Sequence, residues 1–454
     1  MMSGTLSYAA ESMRGTLYGS DLNFRGVSTD TRSLQSGELF IALQGPNFDG
    51  TNFLREAAKR RAAAAVVPRH IETKLPTIVV DDTLAALGEL AARWRQQMPA
   101  TVVGITGSNG KTTLKELIAS CLSLSDKTLA THGNLNNEIG LPLMLLRMAE
   151  SHRYAVIEMG ANHPGEIAYL ASLASPRIVA ITNAAPAHLE GFGSVEGVAH
   201  AKGEILTGAH KPDYAVLNAD DDYFEYWKSL AGKSGVISFG LRAEADVRAS
   251  GIKATDKGSD FTLHLSESQF SVALSLQGKH NVLNACAAAA IARVLGISDE
   301  QIRRGLEAVQ PFGGRLQPVR SASGAVLFDD SYNANPVSVQ AAAEFLASQT
   351  GTSWLVLGDM AELGSDGKLL HAHTGWVVRE AGVNNLLATG PLSKNTVEAF
   401  GENGRWIPSI DELIGELRKS IGQGDVVLVK GSRSMGMERV VDALTGKIDK
   451  VGSA

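Results

Sequence analysis

The sequence predicts an α/β protein of three domains: a central P-loop-type parallel sheet, a smaller N-terminal block, and a C-terminal Rossmann-like, doubly wound sheet. Three observations carry that expectation. Short apolar runs alternate with stretches of helical period over most of the chain, the pattern of parallel strands covered by helices on both faces. The length of 454 residues exceeds what one core usually serves, so two or three domains are expected. Residues 104–113, Gly-Ile-Thr-Gly-Ser-Asn-Gly-Lys-Thr-Thr, follow an apolar run and precede a helical pattern. A strand that empties through glycines into a Lys-Thr pair and a helix is a loop that cradles phosphate.

In chain order, residues 1–98 mix short β-rich pieces (38–43, 77–80) with alanine-rich helical stretches at 54–65 and 83–97. Met98-Pro99 closes this block, because the residue before proline is pushed out of the helical region. Residues 99–313 alternate strands (101–105, 129–131, 154–158, 177–182, 214–217) with helices. The polar stretch 234–275 reads as a small antiparallel appendage, after which an alanine-rich helix resumes at 284–292. Beyond Pro311-Phe312-Gly313-Gly314, residues 314–454 repeat the βαβ rhythm, with strands at 325–328, 354–357, 386–388 and 426–429. Strand ends in such sheets aim loops at a cleft, and a catalytic cleft is expected between the second and third blocks.

Composition narrows the class. A net charge of −6 gives no sign of a nucleic-acid groove or a polybasic membrane patch. The two cysteines, Cys121 and Cys286, lie in helix-like apolar stretches and fit buried thiols of a reducing compartment. No basic start with an apolar continuation follows Met1, and no apolar run reaches 18 residues. A soluble, cytoplasmic protein is expected, with no membrane insertion and no nucleic-acid partner.

The phosphate loop points to ATP. Gly107 and Gly110 let backbone N–H groups close on phosphates, Lys111 supplies charge, and Thr112 offers a hydroxyl to magnesium. Ile105 stands where the first glycine of the longer P-loop pattern would be. Glu158 ends a buried parallel strand beside this loop, a position from which a carboxylate can hold magnesium. His188 follows the next strand and can reach the same ions or simply pack there; Lys202 by itself reads as a surface lysine. In the last block, Arg315 follows a Gly-Gly pair, and Asp330 to Pro336 form a polar loop closed by proline at a helix start. Residues 358–364 and 430–434 occupy equivalent strand ends, where Lys430 and Arg433 can meet carboxylate or phosphate.

Thr106-Gly107-Ser108-Asn109-Gly110-Lys111-Thr112-Thr113 resembles the ATP loop of the Mur ligases and their relatives, the folylpolyglutamate and cyanophycin synthetases. Further motifs resemble the Mur branch that joins D-alanyl-D-alanine to a UDP-N-acetylmuramoyl tripeptide. They begin at Gly133, Glu158, His188, Gly278, Asp330 and Val429, and Asp330-Ser331-Tyr332-Asn333-Ala334-Asn335-Pro336 is the specific one.

The resemblance implies ATP-driven amide synthesis through an acyl phosphate, with magnesium. It implies that Gly107, Ser108, Asn109, Gly110, Lys111, Thr112 and Thr113 serve ATP, His280 and Asn281 the adenine, Arg315 the terminal phosphates, and Asp330 and Asn333 a closing loop. It implies that Thr112 serves a magnesium ion beside the ATP phosphates, and that Glu158, His188 and a carbamylated Lys202 hold a second one. Lys111, Lys202, His188 and Arg315 are thereby the catalytic set. Ser28-Thr29-Asp30-Thr31-Arg32 resembles the stretch that holds the uridine nucleotide sugar, and Gly45, Asp49 and Gly50 a second such loop. Thr51 stands where relatives often carry histidine, and no role is carried onto it. The implied partners are the UDP-N-acetylmuramoyl tripeptide and D-alanyl-D-alanine; the expected state is a monomer, open before ligands bind. The motifs leave the third residue of the peptide undetermined. Two other readings share the ATP loop: a folylpolyglutamate- or cyanophycin-type amide ligase, and a nucleotide-binding module without catalysis.

Overall fold

A computed structural model describes residues 1–208, 210–242 and 244–446. The largest of its sheets has nine strands, in the spatial order Thr128–Ala130, Tyr154–Glu158, Thr101–Thr106, Ile178–Ile181, Tyr214–Asn218, Gly235–Gly240, Val247–Thr255, Gly258–Leu265 and Ser268–Leu274. The first seven pair in parallel, and the last two pairings are antiparallel. Side chains alternate across it: Val102, Ala155 and Ile157 enter one core, and Val103, Ile105 and Val156 the other. Both faces are covered, which is why these strands read as continuous apolar runs.

The 234–275 stretch is not a separate appendage. Its first strand adds to the parallel sheet, and the antiparallel hairpin continues the same sheet. The reason lies in its alternation: Phe261, Leu263, Val272 and Leu274 share a core with the helix Lys279–Val294. That helix also packs on the helix Lys111–Ser123, which follows the phosphate loop.

The N-terminal block carries a five-stranded sheet of Thr16–Tyr18, Thr77–Val79, Ala64–Val67, Leu39–Ile41 and Val27–Ser28. The helix expected over 54–65 stops at Lys59, and Ala64–Val67 is a strand buried along its whole length. Its alanines favour a helix, but burial between two layers overrides that propensity. Most of this block's core is not its own. Leu6, Leu39, Ile78, Leu87 and Leu90 join Val102 and Ala155 in one cluster. The buried Arg95 guanidinium donates to the carbonyl of Ala174 at 3.0 Å, and Met2 N–H to that of Leu146 at 2.7 Å.

The third block is built differently. Its six-stranded sheet runs Gln317–Arg320, Val326–Asp330, Asp425–Lys430, Thr352–Leu357, Asn385–Ala388 and Gly404–Trp406, with only the first strand antiparallel. Two clusters, one per face, are made entirely from residues 316–444. The block lies against the second through polar contacts. Arg315, the paired amides of Asn109 and Asn335, and the contact of Glu362 with His188 hold it there. Both cysteines are buried and free, and burial pushes the Cys121 thiol up to about 12, consistent with inert packing. Among the described residues no helix is long and apolar enough to cross a membrane.

One buried histidine fixes the loop that the third block turns toward the second. His371, fully buried, accepts the Met360 N–H at Nε2 (3.0 Å) and donates Nδ1–H to the Gly367 carbonyl (2.7 Å). Burial holds its pKa below the ordinary value, against the raising influence of Gly367 and Asp359. The folded state therefore favours the neutral ring. Its stabilising contribution is present above the unfolded value of about 6.5 and is lost as pH falls from there toward the folded value. A His371→Gln variant should melt below the wild type at pH 7.5, by the equivalent of about 1–2 kcal/mol. The gap should narrow below pH 6.5 in paired thermal melts; a constant gap would deny His371 this role.

Candidate active site

The phosphate loop is shaped by two close approaches. Gly107 adopts φ +141°, and a Cβ there would lie 1.9 Å from Oγ1 of Thr182 on the adjacent strand end. Gly110 adopts φ +82°, and a Cβ there would meet the Asn284 side chain at 2.8 Å. Neither position admits a side chain. Gly110 also caps the helix Lys111–Ser123 without a side-chain acceptor, leaving its first-turn donors to a ligand. Thr182 Oγ1 donates to the Asn109 carbonyl at 2.6 Å, and Asn183 accepts the Asn109 N–H at 3.0 Å, tying the loop to the next strand.

A cavity of about 680 Å³ opens above this loop, between the second and third blocks. Ser108, Asn109, Gly110, Lys111, Thr112, Thr113, Glu158 and His188 line it from the second block, with His280 and Asn281. Arg315, Asp330 and Asn333 line it from the third. Gly107 shapes the loop from behind. Lys202 stands outside the lining, buried in the helix Val195–Thr207 with its Nζ 5.2 Å from the Phe192 ring centre.

The polar groups interlock. Lys111 Nζ donates to the carbonyls of Gly107 (2.7 Å) and Ser108 (3.2 Å); burial lowers its pKa, Glu158 opposes that, and Arg315 adds to it. Thr112 Oγ1 donates to one Glu158 oxygen at 2.9 Å, and Asn136 Nδ2 donates to the other at 2.8 Å. Arg315 crosses from the third block to donate to Thr112 Oγ1 at 2.9 Å, its guanidinium 4.3 Å from the Tyr332 ring centre. Lys430 is nearly buried and committed inside the protein, to Asp330 at 2.6 Å and the Asn333 carbonyl at 2.9 Å. It thus meets a carboxylate, as expected, but one that anchors the loop. Arg433 turns instead to the exposed Glu438 at 3.3 Å.

Lys202 changes character on burial. Desolvation, with Lys111 adding to it, lowers its pKa to about 7, so a large fraction of the amine is neutral near neutral pH. His188 is lowered by burial, and by Lys111 and Lys202, against the raising effect of Glu362. Among the described residues no group of three or more His, Cys, Asp or Glu could hold a metal ion. The oxygens of Thr112 and Glu158 nonetheless suit a hard cation.

The loops 28–32 and 45–50 lie elsewhere. They leave the same end of two neighbouring parallel strands, paired Ser28 to Phe40, and take no part in the large cavity. Asp30 holds Arg32 through paired hydrogen bonds, which keep its carboxyl below the usual range. Asp49 accepts the Thr51 N–H and hydroxyl at 2.9 and 2.6 Å.

Sequence reasoning gave no role to Asn136, Thr182, Tyr332, Asn335 or Glu362. Three of these sit inside the family-like motifs, which was signal enough to mark the loops but not the partners. Asn335 Nδ2 donates to Asn109 Oδ1 at 2.7 Å while capping the helix Pro336–Ala347. Thr182 lines the cavity, bonds the Asn109 carbonyl and fills the space that a Cβ at Gly107 would need.

This geometry defines a nucleotide-using α/β enzyme whose site closes between two sheets. Family models for Mur ligases match three stretches: "Mur ligase family, catalytic domain" over residues 23–95, "Mur ligase middle domain" over 105–292, and "Mur ligase, glutamate ligase domain" over 314–433. The chain belongs to the Mur ligase family, and within it to the MurF type. It is 44% identical to the UDP-N-acetylmuramoyl-tripeptide–D-alanyl-D-alanine ligase of Escherichia coli strain K12, over 98% of this chain and 99% of that one. A crystal structure of MurF from Acinetobacter baumannii superposes with a TM-score of 0.93, at 35% identity and 98% and 99% coverage. MurF ligase from Thermotoga maritima, solved in complex with ADP, gives 0.82 at 28% identity, covering 94% of this chain and 98% of that one.

The close approach at residue 107 yields a test. Gly107→Ala should force the loop from Thr182 and weaken ADP binding by at least about tenfold in calorimetry, while the circular dichroism of the folded chain is retained. Unchanged affinity would mean that the loop tolerates a side chain there.

Proposed function

We propose that this protein is the ATP-dependent ligase that joins D-alanyl-D-alanine to UDP-N-acetylmuramoyl tripeptide, forming ADP and phosphate, in peptidoglycan precursor synthesis. The observation that carries it is one cavity in which phosphate-loop groups of the second block and Arg315, Asp330 and Asn333 of the third face each other. Near full-length similarity to ligases named for that reaction supports it.

The chemistry follows from the groups present. The terminal carboxylate of the tripeptide attacks the γ-phosphorus of ATP, giving an acyl phosphate and ADP. A carboxylate is a poor electrophile, and phosphorylation gives it a leaving group. The free amine of the dipeptide adds to the acyl carbon, and the tetrahedral intermediate loses a proton and expels phosphate to leave the amide. Lys111 is poised to exchange its two carbonyl partners for phosphate oxygens. The backbone donors of Ser108 to Thr113 would bind phosphates, and Arg315 would add charge as γ-phosphoryl transfer proceeds. Asn281 and His280 would border the adenine. Seating of the third block excludes water, which would otherwise hydrolyse the acyl phosphate.

Magnesium fits this site. Thr112 and Glu158 would hold one ion; Glu158, His188 and Lys202, once carbamylated, would hold a second. Bound there, the ions would neutralise charge on the transferred phosphoryl group. The buried Lys202, with its pKa near 7, supports the carbamate, since only a neutral amine adds carbon dioxide and the product supplies the carboxylate that the cluster lacks. We further assign residues 1–98 to the UDP-sugar peptide, with Ser28, Thr29, Asp30, Arg32, Gly45, Asp49 and Gly50 at its nucleotide. Residues 99–313 hold ATP, and 314–454 close on nucleotide and dipeptide. The chain is taken to act as a cytoplasmic monomer.

Phosphate release from ATP and magnesium, with each substrate present or omitted, tests the reaction. Release that requires both the UDP-tripeptide and D-alanyl-D-alanine is expected. Release with a folate and glutamate instead would replace this reading with the folylpolyglutamate one. Lys111→Ala should lower turnover by roughly 100- to 1,000-fold with its melting temperature kept; substantial residual turnover would take Lys111 out of the phosphate site. Lys202→Ala should be inactive and partly rescued by short carboxylic acids. Absence of rescue would count against the carbamate.

A further inference from the structure

Four acidic side chains line the large cavity, and three of them are committed within the protein. Glu158 is held by Thr112 and Asn136, Asp330 by Lys430, and Glu166 accepts the Asn162 N–H at 2.7 Å. The fourth, Glu138, is half-buried and, among the described residues, has no hydrogen bond or ion pair to its carboxylate.

The backbone beneath it is nonetheless braced. Asn136 donates to Glu158 at 2.8 Å and accepts the Gly160 N–H at 2.9 Å, and Asn137 Oδ1 accepts the Gly140 N–H at 2.9 Å where the helix Gly140–Leu145 begins. The Cα of Glu138 lies at most roughly 7 Å from that of Asn136, two residues away, so this free charge stands close to the group that Asn136 holds. It also stands toward the first block. Burial raises the pKa of the Tyr169 hydroxyl, and Asp82, Glu138 and Glu89 raise it further. Asp82 caps the helix Thr83–Gln97 of the first block, Glu89 lies on it, and Gly88 of the same helix packs on the Tyr169 hydroxyl. Arg315 and Asp330, by contrast, enter the cavity from the third block.

An unpaired carboxylate disfavours binding in a site that takes ATP and a UDP-linked peptide, both anions, unless one of them brings a cation to it. Under the ligase reading, the terminal carboxylate of the tripeptide comes to the γ-phosphate beside Lys111 and Glu158. The side chain of that same third residue leaves the carbon next to the reacting carboxylate, so whatever reads it lies within one side-chain length of the phosphate end. Glu138 is the uncommitted negative charge there, on the side of the block assigned to the UDP-peptide.

We propose that Glu138 is a specificity-determining residue for the tripeptide: its carboxylate pairs with an ammonium group on the side chain of the third residue. This rests on the ligase reading and deepens it by naming the group on the peptide that is recognised and the residue that recognises it. The pairing also sets the register of the peptide, because an ammonium anchored at Glu138 holds the adjoining terminal carboxylate at the phosphates. The amine of the dipeptide is the other cation of the reaction, and it is assigned to the third block rather than to this side.

Calorimetry on the full chain tests this with UDP-N-acetylmuramoyl tripeptides ending in lysine or diaminopimelate and with their counterparts lacking the side-chain amine, ending in norleucine or aminopimelate. The wild type should bind at least one amine-bearing peptide, and roughly 5- to 15-fold tighter than its counterpart. Glu138→Gln should weaken the amine-bearing peptide by that factor and leave the counterpart within about twofold, which also shows the variant to be folded. In turnover, KM for the amine-bearing peptide should rise by a similar factor, with KM for ATP and D-alanyl-D-alanine within about twofold. Equal loss of both peptides in Glu138→Gln, or loss of neither, would overturn the proposal. So would a rise in KM confined to D-alanyl-D-alanine, which would place Glu138 on the acceptor amine. Wild-type binding without discrimination strikes this proposal alone, whereas binding of none of the four peptides would remove the ligase reading and this proposal with it.

Discussion

The contact between Gly107 and Thr182 is the constraint from which the site follows. Two parallel strand ends approach so closely that Oγ1 of Thr182 occupies the space a Cβ would need, and its hydroxyl bonds the Asn109 carbonyl. This forces the chain away from the sheet and then back through Gly110 into a helix aimed at the cavity. Everything polar in the site is measured from that turn. Lys111 and Thr112 begin the helix, Glu158 ends the neighbouring strand, and the hydroxyl of Thr112 bridges Glu158 to Arg315 of the third block. Phosphate recognition and domain docking thus share one threonine hydroxyl. The cost of such crowding is a pair of positions that admit only glycine.

Charge within the cavity is arranged against its natural tendency. Burial lowers the proton affinity of Lys111 and Lys202, and the charge of Arg315 beside Lys111, and of Lys111 beside Lys202, lowers it further. In ordinary packing such a cluster would be avoided, since buried cations need partners. Here the incoming phosphates are the counter-charge, and Lys202 has a second route, conversion of its neutral amine to an anion under the assignment proposed above. The loop 330–335 is by contrast internally neutralised, with Lys430 held by Asp330 and the Asn333 carbonyl. Its work is shape, and its last residue, Asn335, bonds the phosphate loop through Asn109.

The fold was legible where local pattern and burial agree. The helix Thr83–Gln97 and the strands of the two doubly covered sheets stand where the apolar runs put them, because both faces of those strands are buried. Residues 54–65 misled because alanines that favour a helix in isolation were needed as small residues in a buried strand. The hairpin after residue 247 misled because polar alternation says only that one face is wet, not which sheet the strand joins. In the site, the glycines, Lys111 and the strand-end Glu158 announce themselves through chemistry at fixed spacing. Tyr332 beneath Arg315 and Glu362 beside His188 were silent, since their meaning arises only when two distant loops are brought together. Lys202 is intermediate: in sequence it is one lysine among many, and only its burial distinguishes it.

The sharing of cores has a consequence for how the molecule comes apart. Residues 1–98 place most of their buried leucines in the same cluster as one face of the central sheet, with only a small cluster of their own around Leu34 and Leu54, whereas residues 316–444 keep two clusters to themselves. The three blocks therefore amount to two cooperative units. Heating should melt the N-terminal block together with the central one, and the third on its own curve, joined to them by a linker and a few polar contacts. Nucleotide bound between the units would draw the two transitions together, because a ligand that requires both folded stabilises both.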